Sequence, residues 1–237
     1  MKIFDFDIEK GIYYFEFNEL NTEKHSHPAV EMLHAIQGTF SIEINGQTKE
    51  NLDFAIIESN VVHKIVSKNV SLRILMLESH NTMLSNFFKS KAIKFENGIF
   101  FRAKFSAKNE LMAEVHEFAK TTDLKTPVDK RVADCIKFMG QNELEYKNLI
   151  PELTSKVFLS ESRLSHLFKE QIGVSIKKYL VWNKLKQAIN LYLKESDSLT
   201  SVSLESGFFD QAHLSNSFKN VLGVSPSRAY NSRTLQV

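Results

Sequence analysis

The sequence predicts a mixed multidomain fold, with a small β-barrel and flanking helices followed by an all-α domain of two helix-turn-helix units. Three observations carry this expectation. The first eighty residues are short β-prone runs separated by turn residues. Everything after Pro127 has helical periodicity. One thirteen-residue segment occurs twice in that second part: LSHLFKEQIGVSI begins at Leu164, LSNSFKNVLGVSP at Leu214, and seven of the thirteen positions are identical.

The elements follow in order. Ile12 to Phe17 is a short aromatic-rich run, and Phe40, Ile42 and Ile44 alternate with Ser41 and Glu43 before the turn residues NGQ. Phe54 to Ile57, Val61 to Val66 and Leu72 to Leu77 are further β-prone runs, at a spacing that suits a sandwich or small barrel. Residues 81–120 read as helices packed outside the barrel. Among them NELMAEVHEFAK sets Leu111, Val115 and Phe118 on one stripe. A helix with Leu111, Met112, Val115, His116 and Phe118 could pair with its copy across a two-fold axis. Residues 121–126 form the linker, Thr126-Pro127 is a helix start, and residues 127–237 form the helical domain.

Composition sets the outer limits. A chain of 237 residues with 43% hydrophobic content can bury the cores of two modest domains. The one cysteine, Cys135, excludes an intramolecular disulfide and fits a reducing compartment. No apolar run approaches a membrane span, and MKIFDFDIEKG carries acidic residues where a secretory signal is apolar. A cytoplasmic protein without a membrane partner is the expectation. Charge divides along the domain boundary: residues 1–125 hold 15 Lys/Arg and 17 Asp/Glu, a balance of −2, and residues 126–237 hold 15 and 11, a balance of +4.

Each copy of the repeat ends in GVS. Gly173 and Gly223 stand where a helix stop needs positive φ. Ser175 and Ser225 are N-caps for the next helix, with Pro226 at the following position. Leu164, Leu167 and Phe168 form an apolar stripe in the first copy, as do Leu214, Phe218, Val221 and Leu222 in the second. A shorter helix precedes each copy, and Ser160 and Asp210 cap the second helix of each pair. Short helix, tight turn and second helix with a polar outer face is the outline of a helix-turn-helix. The units are joined by one helix of roughly 19 residues, about 28 Å of rise.

GFFDQAHLSNSFKNVLGVSPSRAY carries a specific resemblance. Residues 127 to 230 resemble the DNA-binding domain of the AraC/XylS family of transcription regulators. Gly207, Phe208, Asp210, Phe218, Lys219, Gly223, Ser225 and Pro226 occupy the matching places, and Leu153, Ser160, Leu164, Phe168, Gly173 and Tyr179 carry the first half of the pattern. The chain departs from that pattern at Thr154 and Ser203, where alanine is usual, at Leu214, where an aromatic is usual, and at Asn216 and Lys184, where arginine is usual.

The resemblance implies a sequence-specific DNA-binding regulator, not an enzyme. Its partners would be double-stranded DNA, RNA polymerase in an activator, a small effector and a second copy of the chain. With the family's docking geometry, Ser162, Arg163 and His166 of the first unit face bases, as do Gln211, Ala212, Ser215 and Asn216 of the second. Arg163 suits guanine, Gln211 suits adenine, and Ala212 suits a thymine methyl. Lys156, Lys169, Lys177, Lys184, Lys219 and Arg228 are the candidates for phosphate contacts. The same helices could instead form a non-catalytic protein-interaction module.

The N-terminal half holds a second constellation in HSHPAVEMLHAIQG. His25, His27, Glu31 and Gly38 match the first motif of the cupin barrels, and His63 lies where the second motif offers its histidine. The eroded segment SNVVHKI lacks that motif's usual proline and glycine. The resemblance implies a cupin-like β-barrel. In metal-binding cupins such a set holds a divalent metal, so the conditional ligands are His25, His27, Glu31 and His63. Period-two spacing puts His25 and His27 on one strand face. A metal-dependent cupin enzyme or a metal sensor fused to a helical domain is the alternative reading. With no cofactor required, the barrel would enclose a small effector against His25, His27, Phe40, Ile42, Phe54 and His63.

Overall fold

The computed structural model describes residues 1–105, 107–142, 146–195 and 198–230. The chain opens with strands β1 (Lys2–Asp7), β2 (Ile12–Phe17), β3 (Leu20–Asn21), β4 (Val30–Ala35), β5 (Phe40–Ile44), β6 (Gln47–Leu52), β7 (Phe54–Ile57), β8 (His63–Ser67) and β9 (Leu72–Leu77). Helix α1 (Met83–Ser90), strand β10 (Ile99–Arg102) and helix α2 (Lys108–Thr121) follow. The rest is helical: α3 (Lys130–Gln141), α4 (Tyr146–Val157), α5 (Glu161–Ile172), α6 (Ile176–Glu195), α7 (Leu199–Glu205), α8 (Gln211–Leu222) and α9 (Pro226–Tyr230).

The strands form two antiparallel sheets, in the orders β1-β2-β9-β4-β7-β10 and β3-β8-β5-β6. Among the described residues they are not hydrogen-bonded into a closed ring, so the expected barrel is an open two-sheet structure. The β5–β6 hairpin turns at Asn45 and Gly46, both with positive φ (51° and 74°), which matches the twist of paired strands.

The six-stranded sheet is buried on both faces. Period-two alternation sends Met32, Phe54, Ile56, Leu75 and Leu77 outward, against Leu84 and Phe88 of α1 and Leu111, Met112 and Val115 of α2. It sends Leu33, Ala55, Ile57, Ile74 and Met76 inward, toward Phe40, Ile42, Ile44 and Ile65 of the other sheet. Two-sided burial explains why FAII and LRILML read as continuous apolar runs.

Several expectations change here. Phe54 faces the outer helices rather than the interior, packing against Phe100 and Phe105. Residues 81–120 contribute a strand as well as helices, since β10 pairs with β7. The apolar stripe of α2 is consumed by its own sheet, Phe118 stacks near Phe87, and Asp5 Oδ2 lies 2.8 Å from His116 Nε2. That face is therefore closed to two-fold pairing. Helix α3 begins at Lys130 rather than Pro127, because the Asp129 carboxylate accepts the Arg131 N–H and caps it there.

The helical part has two cores of different kinds. α3, α4, α5 and the start of α6 enclose their own cluster around Val132, Leu153, Leu164, Phe168 and Tyr179. The second unit does not. Trp182, Leu185, Ile189, Phe208, Leu214 and Phe218 belong to the same apolar cluster as the sheet interior. Residues 20–27 and the second helix-turn-helix therefore share a junction.

One turn carries visible strain. Phe158, between α4 and α5, has φ 53° and is 92% exposed. A left-handed conformation costs a non-glycine L-residue roughly 1–2 kcal/mol, and asparagine tolerates it best. Phe158→Asn is expected to stabilise the protein by about 1 kcal/mol, raising Tm by roughly 2–4 °C in thermal unfolding followed by circular dichroism.

Candidate nucleic-acid interface and the polar cluster at the domain junction

Both repeat helices are built by local capping. The Ser160 and Asp210 side chains accept the N–H groups of Arg163 and His213 at the starts of α5 and α8. Gly173 (φ 83°) and Gly223 (φ 72°) end them in the left-handed conformation, each N–H returning to a lysine carbonyl four residues back. Ser162, Arg163, His166 and Lys169 are exposed on α5, as are Gln211, Ala212, Asn216 and Lys219 on α8, with Ser215 half-buried. The Thr200 hydroxyl donates to Gln211 Oε1 (3.0 Å), which leaves the amide NH2 group uncommitted by that bond. Lys156, Lys177 and Arg228 are exposed. Lys184 is half-buried, and its ammonium donates to the Gly207 carbonyl and so braces the turn of the second unit.

The two stop glycines have a further role that no local signal reveals. A Cβ on Gly173 would lie 2.6 Å from Asn60 Nδ2, and one on Gly223 would lie 2.6 Å from His25 Nδ1 and 2.7 Å from Thr22 Cβ. The Glu23 N–H donates to the Gly223 carbonyl (2.7 Å). Both helix-turn-helix units thus abut the N-terminal domain at the same point of their repeated motif.

A buried ion pair ties the domains deeper in. Lys186 of α6 donates to Glu78 at the end of β9 (2.7 Å), with residue exposures of 2% and 0%. The Tyr13 hydroxyl also donates to Glu78. Burial by itself would raise the Glu78 pKa, but the charges of Lys186 and Lys125 outweigh it and hold the carboxyl below its usual range. His80 sits beside them, lowered by burial to about 4. Sequence reading missed Glu78, Lys186, Tyr13 and His80. The one available signal was a lysine set within the inward stripe of Tyr179, Trp182, Leu185 and Ile189.

His25, His27, Glu31 and His63 come together at the same junction. One ligand atom from each lies within 4.8 Å of every other, and all four residues are buried. Glu31 reaches the cluster because β4 alternation points it inward with Leu33, and β8 supplies His63 from the facing sheet. His25 and His27 lie in the loop before β4 rather than on a regular strand face. His25 exchanges two backbone hydrogen bonds with His63, each 3.0 Å. Each ring's Nδ1 faces a backbone carbonyl: Glu23 for His25 (2.9 Å), Ala29 for His27 (3.1 Å) and Val61 for His63 (2.9 Å). A carbonyl only accepts, so each Nδ1 carries the hydrogen.

Glu31 Oε2 stands 2.9 Å from His63 Nε2 and 3.4 Å from His27 Nε2. Burial opposes its charge, yet the two histidines prevail and hold the carboxyl low. His63 moves the other way from its burial, raised by Glu31, while burial and the neighbouring His63 and His27 lower His25 to about 3.

His25, His27 and Glu31 also edge a cavity of about 70 Å³ whose other walls are mostly apolar, among them Phe15, Leu20, Met76, Phe218 and Val224. The cavity lies between the sheets and the second helix-turn-helix. Phe40 and Ile42 pack in the core between the sheets, and they, Phe54 and His63 are not among its walls.

Comparison with known proteins bears on the helical part first. Residues 153–232 match the family model described as a helix-turn-helix domain. The arabinose operon regulatory protein of Salmonella typhimurium is 34% identical over 104 residues, covering 44% of this chain and 37% of that protein. The C-terminal region is thus a helix-turn-helix domain similar in sequence to part of that regulator. The probable transcriptional regulator LumQ of Photobacterium leiognathi is 32% identical over 88 residues, or 37% of this chain and 36% of that protein. The match thus spans little more than a third of the length of these relatives.

For the whole chain, the similarity is in fold. ToxT of Vibrio cholerae superposes with a TM-score of 0.60 at 12% identity, covering 92% of this chain and 96% of ToxT. A form of ToxT bound to an unsaturated fatty acid gives a TM-score of 0.57 at 10% identity, covering 92% of this chain and 93% of ToxT. The helix-turn-helix domain here therefore follows an N-terminal β-domain in the same overall fold as ToxT. Among the described residues, no helix is long and apolar enough to cross a membrane.

Proposed function

We propose that this protein is a sequence-specific DNA-binding transcriptional regulator whose N-terminal domain controls the helix-turn-helix units in response to a small effector. The observation that carries this reading is the duplicated unit itself, with two capped helices whose N-terminal turns present polar side chains to solvent. Ser162, Arg163 and His166 would meet bases in one major-groove segment, and Gln211, Ala212, Ser215 and Asn216 in another. Lys156, Lys169, Lys177, Lys219 and Arg228 would neutralise phosphates. Two units held by one helix suit adjacent turns of a duplex, about 34 Å apart.

The walls of the cavity at the junction, apolar except near His25, His27, Glu31 and Thr22, suit an effector that is mainly apolar with a polar head, and the cavity of about 70 Å³ would have to widen to seat it. ToxT, which shares this fold, binds an unsaturated fatty acid. An effector seated there would touch both domains and so favour one of their arrangements over another, which is the condition for it to shift any equilibrium. RNA polymerase and a second copy of the chain are the further partners of this reading, which places the protein in the cytoplasm.

Selection from random duplexes with the full chain tests it. The expected outcome is an enriched site bound at least about a thousandfold tighter than bulk DNA at ~0.15 M salt, and no enrichment would overturn the reading. Arg163→Ala should relax preference at one position at a cost of about 1–3 kcal/mol. Lys177→Ala should weaken binding to every sequence and flatten the salt dependence by about one unit of slope.

A further inference from the structure

We propose that His25, His27, Glu31 and His63 hold one divalent first-row transition-metal ion at the junction with the second helix-turn-helix unit. Hydrogen bonding supplies the first ground. With every Nδ1–H committed to a carbonyl, each ring in its neutral form turns an Nε2 lone pair toward the cluster. His63 Nε2 nevertheless lies 2.9 Å from a carboxylate oxygen that also only accepts. Among the described residues, His27 Nε2, His63 Nε2 and Glu31 Oε2 are buried without an ordinary hydrogen-bond partner. A proton on His63 Nε2 satisfies its contact with Glu31 alone, whereas one metal ion satisfies the His27, His63 and Glu31 atoms together.

The backbone carbonyls are the second ground. A metal-bound imidazole almost always donates its other N–H to a carbonyl, carboxylate or water, which fixes the tautomer and the ring plane. All three histidines here are oriented that way before any ion is considered. The ligand atoms lie within 4.8 Å of one another, so small side-chain shifts bring them to about 2.0–2.2 Å from one centre. Three imidazoles and one carboxylate favour zinc, iron, cobalt or nickel over calcium and magnesium, which prefer all-oxygen sets.

Position gives the site a consequence. His25 belongs to the loop whose Glu23 N–H binds the Gly223 carbonyl, and its ring lies against Gly223. An ion joining that loop to β4 and β8 would stiffen the surface on which the second unit rests. Its effect on DNA affinity rests on the proposed function, whereas its binding does not.

The test is a titration of the full chain, prepared without a histidine tag and stripped with a chelator, using cobalt(II) and then zinc(II) in the absence of DNA. The expected result is one equivalent of cobalt per chain with visible d–d absorption, displaced by zinc, and a higher Tm for the zinc-loaded protein. Glu31→Gln keeps the shape of the site and should bind at least about tenfold more weakly, and His27→Ala with His63→Ala should abolish binding. A folded wild-type chain that takes up no stoichiometric cobalt or zinc from excess metal overturns the proposal. Equal affinity in Glu31→Gln and in the double alanine variant also overturns it, because the ion would then lie elsewhere. Since no DNA is present, neither outcome depends on whether the protein binds a duplex.

Discussion

Lys186→Met is expected to destabilise the protein by about 3–5 kcal/mol, a fall in Tm on the order of 10 °C in thermal unfolding. The cause is the charge left behind. Glu78 is fully buried, and without Lys186 its carboxylate keeps the Tyr13 hydroxyl but loses the ammonium that donates to it. Desolvating an unpaired charge costs more than the pair contributes, so removing one partner is far worse than removing both. The double variant Glu78→Gln with Lys186→Met should therefore recover a large part of the loss. Acid gives an independent check. A carboxyl held below its usual value adds stability that is fully present above about pH 4.5 and is lost as pH falls through the folded-state pKa. Tm of the wild type should fall more steeply below pH 4.5 than Tm of the double variant. A loss under about 1 kcal/mol in Lys186→Met would mean that the pair is solvated and the two domains are not docked as described.

Gly223→Ala should cost about 3 kcal/mol, against about 1 kcal/mol for Gly46→Ala. The comparison separates two effects. Both glycines have similar positive φ, 72° and 74°, so the backbone penalty is shared. A Cβ at Gly46 meets nothing within 4 Å, whereas one at Gly223 meets His25 Nδ1 at 2.6 Å, Thr22 Cβ at 2.7 Å and the Glu23 carbonyl at 2.9 Å. The excess is the cost of pushing the second helix-turn-helix off the loop at residues 22–25. Limited proteolysis should show that loop cut faster in Gly223→Ala than in Gly46→Ala. Equal stability losses in the two variants would contradict the docked junction.

Much of the helical half is legible in the sequence because its signals are local. A capping serine or aspartate acts on an N–H three residues away, and a left-handed stop acts on the preceding turn. Ser160, Asp210, Gly173 and Gly223 could therefore be placed one by one. The β5–β6 hairpin was legible for the same reason. β10 was not: IFFR is four residues long and becomes a strand only because β7 offers it an edge. The candidate DNA-facing residues follow from helix periodicity, but Lys184 shows its limit. Periodicity left that lysine available to phosphate, while the packed structure turns it onto the Gly207 carbonyl.

By itself, the sequence determined that the chain has a β-rich part and a helical part, that the helical part contains one unit twice, and where each repeated helix starts and stops. Those properties depend on residues within a few positions of one another. Only the tertiary structure decided that Lys186 meets Glu78 across 108 residues, that Phe54 faces α1 and α2 rather than the interior, and that the second unit completes its core with the sheets. The His25, His27, Glu31 and His63 set lies between these cases. A motif suggested its members, but the alignment of three rings by the carbonyls of Glu23, Ala29 and Val61 was not encoded in their spacing. It depends on where two loops and two strands pack, which no spacing within the motif records.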